Sequence, residues 1–266
     1  MKNRVRILFL AANPEDKTQL KLGREFDLVR ESLRRGRFRN AFQLLSPVLA
    51  ARASDLGSAL IEYRPHVVHF CGHGSEDLGI VFETEGGYSR PADARELTEL
   101  FREVRRDVRL VFLNACHTAE QAQALASMFD YIVGTSGLIL DSVAGEYAGW
   151  FYRALAHGAT VGGAVSAAHT AVDGRAAGIA ELTKGEGADD SRPFILQVLN
   201  CVPAPSHVRL PQEPARNNPP PAKGEHPQPG AIQVTTSVKD STFNDAYTSG
   251  RDMYVNLGKA GRGKKR

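Results

Sequence analysis

The sequence predicts an α/β fold with a mainly parallel central sheet. Along residues 1–202, short runs rich in Val, Ile, Leu and Phe alternate with longer segments of helical periodicity. Apolar runs without polar alternation are typical of strands buried on both faces, and strands that alternate with helices are typical of a parallel sheet covered by helices. The composition, 42% hydrophobic and 24% charged, is that of an ordinary globular protein.

Each predicted element follows from its local pattern. The predicted strands are Val5–Ala11, Asn40–Leu45, His66–Cys71, Val108–Leu113, Tyr131–Gly134 and Phe194–Leu199, with a small hairpin at Leu78–Phe82 and Gly86–Arg90. The predicted helices are Lys17–Arg35, Ser54–Tyr63, Ala94–Val104, Ala119–Met128, Val143–His157 and Val161–Asp173. Asp93 is expected to cap the third helix, Ser54 or Asp55 the second, and Gly36 to end the first.

Charge and cysteine content favour a soluble cytoplasmic protein. The formal net charge is only +3, and much of the excess lies in Arg30–Arg39 and Lys259–Arg266, so we expect a solvated helix face and no nucleic-acid partner. Three cysteines, an odd number, do not form a disulfide framework, which favours a reducing compartment. No apolar run approaches the roughly 20 residues of a membrane span, so we expect no membrane partner.

The composition changes after Cys201. Residues Pro203–Gly230 hold most of the 14 prolines and few large apolar side chains, which predicts a disordered linker over residues 203–230. Residues 231–266 form a short tail, rich in Val, Thr, Ser, Asn and Tyr over Ala231–Leu257. The tail is a candidate docking or amyloid-like motif that pairs with a partner by strand addition, and an ordinary disordered tail is the alternative.

Two strands end at reactive side chains. His66–Cys71 is followed by His73 between two glycines, and Val108–Leu113 is followed by Cys116. Parallel strands bring their carboxyl ends to one edge of the sheet, where a histidine can deprotonate a cysteine. The backbone N–H groups of Gly74 and Cys116 can then form an oxyanion hole.

Other interpretations of these residues stay open at this point. His73 can simply end a strand, and Cys116 can be a small buried side chain. A zinc cluster can also be drawn from His69, Cys71, His73, Cys116 and His117, although the usual metal-site spacing is absent. We therefore expect no metal and no cofactor, with His66, His69 and Cys71 as structural residues.

The stretches PHVVHFCGHG and RLVFLNACHT, together with ILFLAANPEDKTQLKLGREFDLVRESL, resemble the bacterial CHAT domains of the caspase-like clan CD cysteine peptidases. The resemblance covers about residues 4–200. It implies a caspase-like three-layer sandwich, with His73 as general base and Cys116 as nucleophile. His117 departs from the family, whose members commonly have Glu or another small polar residue after the cysteine.

The same resemblance implies where specificity lies. Related enzymes build the first substrate pocket partly from the loop after the strand that follows the cysteine, which here is Gly134–Ser142. Asp141 lies in this loop, where relatives that cleave after basic residues carry an acid, so we expect Asp141 to bind an Arg or Lys side chain. The alternative is that Asp141 caps a helix that starts at Val143.

These observations predict a cysteine endopeptidase that acts on a protein substrate, as an effector of bacterial defence or programmed cell death. The tail is expected to recruit it to a sensor or adaptor protein. The alternative function is a non-catalytic caspase-like signalling adaptor that acts by binding other proteins.

Overall fold

A computed structural model describes residues 4–75, 79–102, 107–172, 175 and 180–200 of the chain. The predicted linker over residues 203–230 and the tail over residues 231–266 lie outside the described residues and stay predictions. Leu78, Val104 and Asp173, each predicted as the end of an element, also lie outside them. No described helix has both the length and the apolar character needed to cross a bilayer.

The described residues form alternating strands and helices over most of their length. The strands are β1 (Val5–Ala11), β2 (Phe42–Leu44), β3 (Val48–Leu49), β4 (Val67–Cys71), β5 (Gly74–Ser75), β6 (Gly79–Glu83), β7 (Ser89–Ala92), β8 (Leu110–Asn114), β9 (Tyr131–Thr135) and β10 (Ala180–Lys184). The helices are α1 (Leu22–Arg35), α2 (Ala53–Tyr63), α3 (Ala94–Arg102), α4 (Ala119–Leu125), α5 (Asp141–Ala156), α6 (Val161–Ala171) and α7 (Phe194–Asn200).

The central sheet is mainly parallel, as predicted. Its strand order is β10-β9-β8-β4-β1-β2, with β3 also paired to β1, and β10 is the antiparallel member. A second, antiparallel sheet, β5-β6-β7, follows directly from β4 and contains the predicted hairpin. The inner strands β4, β8 and β9 are buried at every position, which explains their continuous apolar sequence.

Helices cover both faces of the sheet, so the fold is a three-layer α/β sandwich. One core contains side chains from α1, α5, α6 and α7, such as Val29 and Phe151. The other contains side chains from α2, α3 and α4, such as Leu60 and Leu97. Each fully buried side chain of this size contributes about 1.5–3 kcal/mol, so both layers are needed to stabilise the sheet.

The register of β4 and β8 positions the candidate site. These neighbouring parallel strands pair Cys71 with Asn114 at their carboxyl ends. His73 and Cys116 each follow two residues later in the chain. The two turns that carry them therefore leave the sheet side by side.

Two expectations about secondary structure were wrong. Residues Phe194–Leu199 form helix α7 rather than a strand, because Phe194, Ile195 and Val198 face the core while Leu196 is exposed, a helical spacing. Such a short apolar run does not distinguish a strand from a buried helix turn. Strand β10 was not predicted, since its sequence AELTK is polar and lies at the sheet edge.

The expected helix ends are partly confirmed. The Asp93 carboxylate accepts the Glu96 N–H at 2.7 Å at the start of α3, as predicted. At α2 the N-cap is Arg52, not Ser54 or Asp55, and the Asp55 carboxylate accepts the Arg52 N–H at 2.9 Å from within the first turn. Helix α1 ends at Gly36 as expected but begins at Leu22 rather than Lys17.

Candidate active site

The predicted site residues line one cleft at the carboxyl edge of the sheet. It has a volume of about 350 Å³, part of it open to solvent, and His73, Cys116 and Asp141 all line it. Glu25 is a second acid in the lining, and the other lining residues are Leu20, Leu22, Gly72, Asn114, Ile139 and Ala144. The structure thus brings together a histidine, a cysteine and a carboxylate that are far apart in sequence.

The imidazole of His73 is oriented by a backbone carbonyl. Its Nε2 lies 2.8 Å from the carbonyl oxygen of Thr18, in the loop between β1 and α1. A carbonyl only accepts hydrogen bonds, so Nε2 carries the proton and the lone pair of the neutral ring lies on Nδ1. Nδ1 is therefore the atom of His73 that can act as a base.

The thiol of Cys116 is half-buried and contacts the loop after β9. The Ile139 N–H donates to Sγ at 3.4 Å, and Sγ lies 3.8 Å from the Ile139 carbonyl oxygen. Among the described residues, no hydrogen bond joins His73 to Cys116. The next residue, His117, has a left-handed backbone with φ of 53° and donates its N–H to the Gly137 carbonyl at 3.2 Å. The turn that presents the thiol is therefore fixed against this loop.

Gly74 lies against the backbone of Cys116. A Cβ atom at Gly74 would lie 1.8 Å from the Cys116 carbonyl oxygen and 3.0 Å from its nitrogen. The Val81 N–H donates to the His73 carbonyl at 3.0 Å, so the pair Gly74–Ile80 is a non-hydrogen-bonded pair of the ladder. The Gly74 N–H is consequently not used by β6. The two proposed oxyanion donors lie close together.

Asp141 is the first residue of α5 and does not cap this helix. The N-cap is Leu140, without a side-chain capping bond, and the helix begins two residues before Val143. The capping alternative for Asp141 is therefore wrong. Its Oδ2 accepts the backbone N–H of Lys21 at 3.2 Å, and Asp141 is one of the residues that line the cleft.

Glu25 and its partners form a buried polar network that the sequence did not reveal. Glu25 Oε1 lies 2.7 Å from Nε2 of His69 and accepts from Nδ2 of Asn114 at 2.7 Å. The other ring nitrogen of His69, Nδ1, lies 3.1 Å from the hydroxyl of Tyr152. Glu25 lies four and eight residues before Val29 and Leu33, so it belongs to the buried stripe of α1. This helical spacing is the sequence signal that could have indicated a buried acid.

His69 and Cys71 are buried core residues, as expected. The ring of His69 stacks between Phe9 at 4.6 Å and Phe112 at 4.8 Å. Burial and the nearby charges of Glu25 and Asp141 raise the pKa of the Cys71 thiol well above its usual value. Cys71 is therefore a poorer nucleophile than the half-buried Cys116.

The five-residue zinc cluster is not formed in the part of the chain that the structure describes. The ligand-type atoms that lie within 4.8 Å of one another there belong to Glu25, His69 and Cys71. Both ring nitrogens of His69 already have hydrogen-bond partners. These residues fit a hydrogen-bonded network better than a metal site.

His66, at the opposite end of β4, has a structural environment. Its Nδ1 accepts the backbone N–H of Arg6 at 2.9 Å. Burial and the charge of Arg6 lower the pKa of His66 to about 4, so the ring is neutral at physiological pH. His66 therefore joins the strand β1 to the start of β4 and takes no part in the cleft.

Comparison with known proteins identifies the family. The model of the CHAT domain matches residues 23–178, more than half of the chain. The chain belongs to the CHAT domain family. The matched segment contains His73, Cys116 and Asp141, together with Glu25.

Two individual proteins are similar to this CHAT domain. A probable protease from Gillisia limnaea is 23% identical over 154 residues, which cover 57% of this chain and 27% of that protein. The chain thus spans about a quarter of the length of this relative. The Arg-specific cysteine proteinase gingipain R has a crystal structure that is similar with a TM-score of 0.45 and 12% identity, over 64% of this chain and 42% of that one.

Proposed function

We propose that the chain is a cysteine endopeptidase of the caspase-like clan CD type, with His73 as general base and Cys116 as nucleophile. The observation that carries this proposal is the shared cleft, in which Thr18 fixes the tautomer of His73 so that Nδ1 is free to take a proton. Membership in the CHAT family and the similarity to a probable protease agree with it. A histidine beside an accessible thiol is the arrangement that acyl transfer to cysteine requires.

The reaction follows from the atoms present. Nδ1 of His73 takes the proton of the Cys116 thiol, and the thiolate attacks the carbonyl carbon of the substrate. The imidazolium then donates its Nδ1 proton to the leaving amine, which leaves a thioester on Cys116. A water molecule, deprotonated by Nδ1, hydrolyses the thioester and restores both side chains. The carbonyl of Thr18 holds the ring and stabilises its cationic form throughout.

The negative oxygen of the tetrahedral intermediate needs fixed donors. We assign this role to the backbone N–H groups of Gly74 and Cys116, which lie on adjoining turns. Removal of one such donor in other proteases costs about 100–1000-fold in rate. The close approach of the two backbones, which only glycine permits at position 74, supports this assignment.

We propose that the cleft accepts an Arg or Lys side chain before the scissile bond. The support is Asp141, whose carboxylate lines the cleft and does not cap α5. A carboxylate forms charge-assisted hydrogen bonds with a basic side chain, about twice as strong as neutral ones. A peptide library that is cut only after Asp or after apolar residues would refute this specificity.

The proposed biological role is a defence or cell-death effector in the cytoplasm, recruited to a sensor or adaptor by residues 231–266. Tethering through the linker would raise the effective concentration of enzyme at its substrate. Deletion of residues 230–266 should leave peptide cleavage intact and abolish partner-dependent activation. Activation that survives this deletion would show that the tail does not recruit the enzyme.

The second candidate function is a non-catalytic adaptor, and one observation favours it. The Cys116 thiol contacts Ile139 and has no hydrogen bond to His73 within the described residues. Labelling of Cys116 by a basic peptidyl chloromethyl or acyloxymethyl ketone decides between the two. If the chain is an endopeptidase, the ketone labels Cys116. Labelling should be slower in His73→Ala and absent at position 116 in Cys116→Ala. An adaptor is not labelled under any activating condition.

A further inference from the structure

The cleft contains a second carboxylate that the family resemblance does not assign. We propose that Glu25 is a further specificity-determining residue, which binds the cationic side chain of the substrate together with Asp141. This inference rests on the proposed cleavage after basic residues. It adds that the charge of the substrate is bound by two acids from different helices rather than by Asp141 alone.

The positions of the two acids carry the inference. Glu25 comes from the first turn of α1 and Asp141 from the first turn of α5, and these two helices pack against each other. Both side chains line the cleft that contains the Cys116 thiol. Glu25 is only 4% exposed, and its Oε1 is bound by the buried side chains of His69 and Asn114, so its carboxylate lies below the protein surface. A substrate side chain that enters past Cys116 therefore meets Asp141 and Glu25.

The hydrogen bonds of Glu25 leave one oxygen available. Oε1 is bound by His69 and Asn114, whereas Oε2 has no hydrogen-bond partner among the described residues. A carboxylate has about four acceptor positions, so a donor that enters the cleft can bind Glu25 without displacing His69 or Asn114. The guanidinium of an arginine supplies donors in a planar fork and a compensating charge. A cationic side chain in the cleft would therefore supply a hydrogen-bond donor to Oε2 of Glu25.

The walls of the cleft suit a long basic side chain. Leu20, Leu22 and Ala144 line it beside the two acids. Lysine and arginine pack their methylene groups on apolar surface while the charged end makes polar contacts. Apolar side chains beside two carboxylates therefore match the chemistry of lysine and arginine better than that of a short acidic residue.

The test compares two substrates that differ only in charge. Peptides with Arg or with citrulline, its neutral isostere, before the scissile bond are assayed with the full chain and with Glu25→Gln. The ratio of kcat/KM for Arg over citrulline should fall by about 10–100-fold in Glu25→Gln, the usual effect of losing a bond to a charged group. A purely structural role for Glu25 would lower both rates and leave the ratio unchanged. Glu31→Gln is the matched control and should keep the ratio, because Glu31 is a half-buried acid of the same helix that pairs with Arg34 and Arg35 and does not line the cleft.

A second variant tests the inference without touching the buried network. In Asp141→Asn, Glu25 alone should hold an Arg-over-citrulline preference of about 10-fold or more. A ratio near one in Asp141→Asn, or an unchanged ratio in Glu25→Gln, would overturn the role of Glu25 while the proposed function stands. A ratio near one in the unmodified chain would overturn the basic specificity itself, and Glu25 with it.

Discussion

Replacement of Gly74 by alanine should inactivate the site while the protein remains folded. The added Cβ would lie 1.8 Å from the carbonyl oxygen of Cys116, whereas real Cβ contacts are essentially never shorter than 3.0 Å. The two backbones must therefore separate by about 1.2 Å, the difference between these distances. Both atoms belong to backbone rather than to a flexible side chain, so the nucleophile itself is displaced.

The size of the effect follows from this displacement. A misplacement of about 1 Å at a reacting group can cost roughly 100-fold in rate, which corresponds to about 2.7 kcal/mol of transition-state stabilisation. Overpacking of this kind costs about 1–3 kcal/mol of folding stability, less than the 5–15 kcal/mol of a typical domain. We therefore expect a large loss of activity with a modest drop in melting temperature.

The assay is the rate of covalent labelling of Cys116 by a basic peptidyl acyloxymethyl ketone, with thermal unfolding measured in parallel. Gly57→Ala is the matched control, because nothing lies within 4 Å of a Cβ at this position in α2. It should label at the normal rate and gain about 0.5–1 kcal/mol in stability. If Gly74→Ala labels Cys116 as fast as the unmodified chain does, the proposed packing of the two turns is wrong.

Two further predictions concern the buried ionisable groups. The pKa of His66 is about 4 in the folded chain against 6.5 in the unfolded chain, so the stability that its neutral form contributes is fully present above pH 6.5 and is lost as pH falls toward 4. The free energy of unfolding should fall by about 3 kcal/mol over this pH range. In His66→Asn, which keeps an acceptor for the Arg6 N–H, the free energy of unfolding from urea titrations should depend less on pH. An equal dependence on pH in both proteins would contradict the lowered pKa of His66. Cys71, whose pKa is raised by burial, should react with iodoacetamide only after denaturation, whereas Cys116 reacts in the folded chain. Mass spectrometry of the digested protein measures the modification of each cysteine separately. Modification of Cys71 in the folded chain as fast as that of Cys116 would refute this prediction.

The strands that carry the site could be predicted because burial on both faces leaves a clear sequence pattern. His66–Cys71 and Val108–Leu113 were identified from apolar runs. Strand β4 begins one residue later than predicted and ends at the predicted residue, whereas β8 begins two residues later and ends one residue later. Since parallel strands end at one edge, the approach of His73 to Cys116 followed from chain order and strand pairing alone. Strands β4 and β8 are direct neighbours in the sheet, which brings the two turns side by side.

The supporting groups could not be predicted from residue types. Thr18 acts through its carbonyl oxygen, which every residue possesses, so no sequence pattern distinguishes it. The helical spacing of Glu25 to Val29 and Leu33 indicated a buried position, but its partners His69 and Asn114 depend on how α1 packs against the sheet. Strand β10 and helix α7 were missed for a related reason, because an edge strand and a seven-residue apolar helix are too short to have a clear periodicity.

The centre of the sheet and the chemistry of the cleft depend on the same residues. Phe9, His69 and Phe112 occupy registered positions on three adjacent strands, and the imidazole stacks between the two phenyl rings. The stacking restricts the plane of the His69 ring, and Nε2 lies in that plane 2.7 Å from Oε1 of Glu25. A carboxylate held by a rigidly packed side chain loses little freedom on binding a ligand, so this arrangement would favour selectivity if Glu25 binds the substrate as proposed. The buried histidine of β4 therefore affects the cleft by fixing an acid, although it does not line the cleft itself.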